Sequence, residues 1–309
     1  MIEENQHDVA IIGAGVAGVS AAIECFDIQL DTILFEGAKK VGGQIDEIPH
    51  TVRNVAVAGA GNDGMIDALA RHAATLGPRL HLDQAVTQVD LDDGIVVAGV
   101  RFRARIVLLA TGSTRRELDG VPDGAFGGGV TYLVERRLSE FARQSTAVFG
   151  GGDSAVLDAL SLSEAGSPSV YLVHRSSRLT ARRDIAQRLR SNARITELAG
   201  WTFEAFVGSD HLEGVDVSQL GTGARRRLDV GGAVLKLGRS PQVGLVSGKV
   251  ELGRHGGIVV DASLRTTHQN AYAVGDVVEG AYERIASAAG QGSYVAHSIL
   301  KDLESRSKS

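Results

Sequence analysis

Asp8-Val9-Ala10-Ile11-Ile12-Gly13-Ala14-Gly15-Val16-Ala17-Gly18 decides how the chain is read. Val9 to Ile12 is a short apolar, β-branched run of the kind that forms a buried strand. A glycine turn of the form Gly-x-Gly-x-x-Gly follows, and an alanine-rich stretch to about Phe26 reads as a helix. Thr32-Ile33-Leu34-Phe35 is the next strand, and it ends in an acid, Glu36. Strand, glycine turn, helix, strand and terminal acid together make a dinucleotide-binding unit. Gly13 allows the turn, Gly15 lets backbone approach a pyrophosphate, and Gly18 lets helix pack on strand. The helix N-terminus then offers N–H groups and a positive dipole end to the phosphates. Glu36 suits a bare ribose hydroxyl and disfavours a 2′-phosphate.

Working outward, the pattern recurs. Ser145-Thr146-Ala147-Val148-Phe149 reads as a strand and Gly150-Gly151-Gly152-Asp153-Ser154-Ala155 as a second glycine turn. A helix is expected from about Val156 to Glu164. Val170-Tyr171-Leu172-Val173 then ends in His174-Arg175, a cationic end that suits a 2′-phosphate. The pair predicts one FAD or NAD site and one NAD(P) site. Gly-Asp-Ser is not a hydrolase nucleophile, because no Gly-x-Ser-x-Gly elbow is present. Arg105 to Gly112 and Asn270 to Asp276 are further strand-to-turn segments, and a helix rich in small residues is expected from Ile285 to about Leu300.

Composition agrees. The chain has 309 residues, about two domains' worth. It has 39 glycines and only 5 prolines, which suits tight turns and close backbone approaches rather than disorder. A net charge of -5 argues against a nucleic-acid-binding protein. Cys25 is the single cysteine, so no disulfide, CxxC pair or cysteine zinc site can form within the chain. No histidine spacing points to a metal, no apolar run is long enough to span a membrane, and Met1 to Asp8 has no signal-peptide pattern. The expectation is a cytoplasmic α/β enzyme without metal. Four arginine clusters, Arg115-Arg116, Arg136-Arg137, Arg182-Arg183 and Arg225-Arg226-Arg227, either dock an acidic electron carrier or form an ordinary solvated surface.

With these motifs, Gly42-Gly43-Gln44, Ala110-Thr111-Gly112, Gly275-Asp276 and the stretch Ala281 to Gly292, the chain resembles the thioredoxin-reductase-like flavoproteins over essentially its whole length. The resemblance implies two Rossmann-like three-layer α/β domains. An FAD domain, 1–115 and 241–309, would be interrupted by an inserted NAD(P)-binding domain, 116–240. It also implies a homodimer and hydride transfer from NADPH or NADH to FAD, with the flavin doing the chemistry and no catalytic side chain. FAD contacts would fall on Gly13, Gly15, Gly18, Glu36, Gly43, Gln44, the Val86 backbone, Thr111, Gly112, Gly275, Asp276, Ile285 and Ala286. Nicotinamide-nucleotide contacts would fall on Gly150, Gly151, Gly152, Asp153, Ser154, Ala155, His174, Arg175 and Arg178.

Two departures matter. The family's redox cysteines would fall at Leu133 and Arg136, so a thiol relay to an external disulfide is excluded by chemistry. The family's His-Arg-Arg-x-x-x-Arg reads His174-Arg175-Ser176-Ser177-Arg178-Leu179-Thr180, with two arginines replaced. Arg178, Arg182 and Arg183 are near enough in sequence to substitute. The segment from Tyr132 to Phe141 is more similar to ferredoxin/flavodoxin–NADP reductases of thioredoxin-reductase type. The electron acceptor expected is therefore a ferredoxin or flavodoxin. The alternatives are a small-molecule acceptor, or a flavin-holding protein with a decayed nucleotide site.

Overall fold

A computed structural model describes residues 2–48, 52, 55 and 61–308. The chain forms two compact units, Met1–Thr114 with Ser240–Ser309, and Arg115–Arg239. The sequence reading placed these divisions one residue later.

The first unit opens with β1 (Ile2–Ile12), α1 (Val16–Asp27) and β2 (Thr32–Phe35). α2 (Gly61–Ala74) and β3 (Leu80–His81) follow, then an antiparallel run of β4 (Gln88–Asp90), β5 (Ile95–Ala98) and the long β6 (Val100–Leu109). β1 lies between β2 and β6, parallel to both, with Ile11 beside Leu34 and Leu108. Such strands are buried on both faces, which is why they read as unbroken apolar runs rather than alternating ones. β7 (Ser113–Arg115) then carries the chain across to the second unit.

That unit contains β8 (Val130–Thr131), α3 (Leu138–Phe141), β9 (Thr146–Phe149), α4 (Asp153–Glu164), β10 (Val170–His174), α5 (Arg183–Arg190) and β11 (Ile195–Ala199). An antiparallel sheet of β12 (Trp201–Val207), β13 (Gly214–Gln219) and β14 (Arg225–Leu228) follows, and β15 (Gly232–Leu235) returns to the parallel sheet. The parallel order is β11-β10-β9-β15-β8. On one face Val148, Leu172 and Val234 pack with Val156, Ala159, Ile185 and Leu189 of α4 and α5. On the other face Ala147, Val173 and Leu235 pack with Val215, Val217 and Leu228 of the antiparallel sheet. Helices, sheet and sheet make three layers.

β16 (Arg239–Pro241) pairs with β7 and leads the chain back. β17 (Ala271–Ala273) adds to β6, and the 22-residue α6 (Ile285–Arg306) covers the sheet alongside α1. Ala17, Ala21, Ala22 and Cys25 of α1 share a core with Val295, Ala296, Ile299 and Leu303 of α6. The fold is thus mixed α/β with two Rossmann-like units, the first discontinuous and the second inserted into it. Among the described residues no helix is long and apolar enough to cross a membrane.

Candidate functional site: two glycine turns

In the first unit, Gly13 turns the chain out of β1 with φ at +105°, and its N–H donates to Phe35 O at 2.8 Å. A Cβ at Gly13 would run into the Ala110 carbonyl, so only glycine fits this approach. α1 starts from Gly15 with no side-chain cap, which leaves its first N–H groups to a ligand. A Cβ built at Gly15 meets nothing within 4 Å, so the face of the turn is open. Glu36 stands at its edge. Its Oε2 accepts the Ala14 N–H at 2.7 Å and its Oε1 the Ala38 N–H at 2.8 Å.

Gly42 and Gly43 close on the same turn. Gly42 N–H donates to Ala14 O at 3.0 Å, and a Cβ on Gly43 would come within 3.2 Å of Gly15 Cα. Gln44 Nε2 donates to Asp276 Oδ2 at 3.0 Å and to Ser113 Oγ at 3.2 Å. Gln291 of α6 accepts the Gly275 N–H at 2.7 Å, which fixes the turn before Asp276. Thr111 Oγ1 donates to Gln242 O at 2.7 Å, and Gln242 N–H donates to Gly112 O at 2.9 Å. Ile285 and Ala286 form the first turn of α6, whose N-cap, Arg284, offers no side-chain cap either. The structure therefore brings Gly13, Gly15, Gly18, Glu36, Gly43, Gln44, Gly112, Gly275 and Asp276 to one end of the sheet. Val86 follows Gln84, whose N–H donates to Glu36 O at 2.9 Å, and its side chain packs on the core of the other sheet face. Ser113, Gln242 and Gln291 were missed as positioning groups. Gln291 alone lay inside a motif that sequence reading had singled out.

The second unit repeats the geometry. Gly150, with φ at +142°, donates its N–H to Val173 O at 2.9 Å, and α4 starts from Gly152 without a side-chain cap. Asp153, Ser154 and Ala155 form the first turn of α4, which begins three residues earlier than the sequence suggested. The loop after β10 folds back over the turn. Thr180 and Ala181 donate backbone N–H groups to Gly151 O at 2.9 and 3.1 Å, and Thr180 Oγ1 adds a third bond at 3.1 Å. Arg182 pairs with Asp153, N–H to Oδ1 at 2.8 Å and Nε to Oδ2 at 3.0 Å. Of the arginines near enough to replace the lost pair, Arg182 is thus engaged, while Arg175, Arg178 and Arg183 are exposed and make no ion pair among the described residues.

His174 is enclosed at the end of β10. Its ring is 2% exposed, with Nε2 3.1 Å from Glu197 Oε1 and Nδ1 3.3 Å from Ser176 Oγ. The ring faces β11 and braces the strand end beside the glycine turn.

The segment expected to hold redox thiols is built otherwise. Leu133 is partly buried, and Arg136 is exposed. Arg137 forms two bonds with Glu140, at 3.0 and 2.7 Å, and lies over the Phe141 ring. Beside it, Lys236 Nζ donates to Tyr132 O at 2.9 Å and to Glu135 Oε1 at 3.2 Å. Asp158 Oδ2 lies 3.0 Å from the same ammonium, close enough for an ion pair but off the hydrogen-bonding direction. Asp158 is 2% exposed, and burial pushes its carboxyl up to about 8 against the pull of Lys236. This cluster was invisible in the sequence, since its members come from three separate segments. Cys25 is fully buried in the α1 core, and burial pushes its thiol up to about 12. Among the described residues no group of side chains is placed to hold a metal.

Comparison with known proteins accords with this architecture. A family model described as pyridine nucleotide-disulphide oxidoreductase matches residues 7–292. The chain is 33% identical over 296 residues to the thioredoxin reductase of Mycolicibacterium smegmatis, covering 93% of each. It is 27% identical over 304 residues to a 34.2 kDa protein in the rubredoxin operon of Clostridium pasteurianum, covering 96% of this chain and 97% of that protein. The crystal structure of Lactococcus lactis thioredoxin reductase superposes with a TM-score of 0.85 at 27% identity, covering 97% of this chain and 99% of that one. Matched almost end to end in sequence and fold, the chain belongs to the pyridine nucleotide-disulphide oxidoreductase family, among its thioredoxin-reductase-like flavoproteins.

Proposed function

We propose that this protein takes electrons from NAD(P)H into bound FAD and passes them to an acceptor other than a disulfide, a ferredoxin or flavodoxin first. FAD and NADPH are the cofactors of the family. The open face at Gly15 and the uncapped start of α1 fit a pyrophosphate, and Glu36 fits an adenosine ribose. The flavin supplies hydride acceptance and onward electron delivery. Asp276, steadied by Gln44, would hold the flavin's side chain, and the N-terminal N–H groups of α6 at Ile285 and Ala286 would favour negative charge on the ring. Gly150–Ala155 with Arg175 and Arg178 would hold the nicotinamide nucleotide.

The observation that carries the reading is the thiol inventory. The only cysteine is Cys25, fully buried, and Lys236, Glu135 and Asp158 cluster beside the segment expected to carry the redox pair. Exchange with a disulfide needs an accessible thiolate. A carrier protein as acceptor is supported by the relative in a rubredoxin operon. A small-molecule acceptor is the second reading, favoured by the way the arginines of β14 are already engaged. Arg227 is bound to Asp216, Arg225 lies 3.6 Å from Glu204 and Arg226 stacks over Tyr171, so much of the positive surface is already neutralised or occupied. A homodimer belongs to the same proposal, by likeness to the family.

The test is anaerobic mixing of the yellow protein with NADPH and then NADH, followed by ferredoxin, flavodoxin, a quinone, or thioredoxin with a chromogenic disulfide. Bleaching by nucleotide and reoxidation by a non-disulfide acceptor is the expected result. Fast thioredoxin-dependent turnover overturns the acceptor class. Absence of bleaching by either nucleotide leaves a flavin-holding protein.

A further inference from the structure

We propose that the Asp158–Lys236–Glu135 cluster senses the charge of the nicotinamide ring, so that above neutral pH the nucleotide site favours the oxidised, cationic ring over the reduced, neutral one. The inference rests on the nucleotide reading of the second glycine turn. It adds a function for groups that reading leaves unused.

Topology places the cluster. In the parallel sheet the strand order reverses between β9 and β15, and a dinucleotide lies across such a switch point, outside the carboxyl ends of the strands. The phosphate-bearing adenosine end belongs over β10, whose last residue His174 is followed by Arg175. The nicotinamide end therefore belongs on the β15 and β8 side. Lys236 directly follows β15, its N–H bound to Phe149 O at 2.8 Å, and a Cβ on Gly150 would press on its carbonyl. Tyr132, whose carbonyl Lys236 holds, directly follows β8. The cluster thus stands at the carboxyl edge of the half-sheet that remains for the nicotinamide.

The charged groups facing Asp158 are Lys236 and Glu135. α3, α5, β9, β10 and β11, the other elements packed on α4, bring the apolar Phe141, Ile185, Leu189, Val148, Val170, Leu172 and Ile195 to that core. Two carboxyls share one ammonium. With Asp158 protonated the cluster is neutral; with Asp158 ionised it carries one negative charge. Burial holds Asp158 in the protonated form through neutral pH and releases its proton near pH 8. An anion there attracts a pyridinium ring and is indifferent to a dihydropyridine, so ionisation tightens the product nucleotide alone.

The experiment is calorimetric titration of the oxidised holoenzyme at pH 6.5 and 9.5 with NADP⁺ and with its 1,4,5,6-tetrahydro analogue, and with the corresponding NAD pair. The tetrahydro ring is neutral and gives up no hydride, so binding is read without flavin reduction. Any 2′-phosphate is common to both members of a pair, so its titration cancels in their ratio. The expected result is that the preference for the cationic ring rises about tenfold from pH 6.5 to 9.5, which is ~1.4 kcal/mol. In Asp158→Asn, a near-isosteric neutral replacement, the ratio stays flat. A wild-type ratio independent of pH, or a variant that keeps the wild-type rise, overturns the inference while leaving the nucleotide site intact. No binding by any of the four ligands at either pH overturns the nucleotide reading itself, and the inference with it.

Discussion

Replacing Gly292 with alanine probes the packing that positions the flavin end of the first unit. Gly292 lies inside α6 where that helix crosses α1. A Cβ there would run into the Ala17 carbonyl and come within 2.8 Å of Ser20 Cβ and 2.9 Å of Ala21 N. Two of these atoms are backbone in a fully buried helix core, so relief requires the helices to separate. Overpacking of this kind costs about 1–3 kcal/mol. Alanine's better helix propensity offsets up to about 1 kcal/mol of it. The first effect wins, because separating the helices also loosens Ala17, Ala21, Val295 and Ala296. A net loss of about 1–2 kcal/mol lowers Tm by roughly 3–6 °C at this domain size. The neighbouring residue couples this to cofactor binding. Gln291 accepts the Gly275 N–H, so moving α6 disturbs the turn that presents Asp276. Thermal unfolding followed by tryptophan-independent circular dichroism, with the flavin absorbance per protein measured after gel filtration, reads both effects. A variant as stable as wild type, or more so, with full flavin content refutes the close crossing.

Three further outcomes follow from single groups. Cys25 should stay unreactive to a chromogenic disulfide at pH 7 to 9 in the folded protein and titrate as one thiol after unfolding, since burial holds its thiol near 12; rapid reaction in the native state refutes its placement. Asp158, whose folded value is raised, contributes stability that is fully present below its ordinary value of 3.8 and is lost as pH rises to about 8. Asp158→Asn should therefore unfold in urea near the wild-type midpoint at pH 4 and above it at pH 9, and a pH-independent difference contradicts this. Arg175→Ala should weaken NADPH by about tenfold or more, the loss of one charged hydrogen bond of roughly 1.5–3 kcal/mol, with little effect on NADH. Equal losses in flavin-reduction titrations with the two nucleotides would show that Arg175 is not the 2′-phosphate contact.

The sequence by itself determined the parts whose signals are local. The runs Val9–Ile12 and Thr146–Phe149 are apolar without alternation because parallel strands are covered on both faces, and the glycine turns after them announce themselves because Gly13 and Gly150 hold positive φ against a neighbouring carbonyl. A thiol relay was excluded by counting cysteines, before any contact was known. Tertiary structure decided what depends on partners far apart in the chain. β11 brings Glu197 against the His174 ring, and the loop after β10 lays Arg182, near enough in sequence to serve as a phosphate contact, on Asp153. The antiparallel sheet β12–β14 passed unremarked because β14 opens on three consecutive arginines, which break the apolar alternation that marks a strand. Asp158 and Lys236 stand far apart in sequence, and a buried charge cluster leaves no periodic trace. Local propensity writes strands and turns into short windows of sequence, whereas the desolvation that raises the Asp158 carboxyl exists only once distant segments have closed around it.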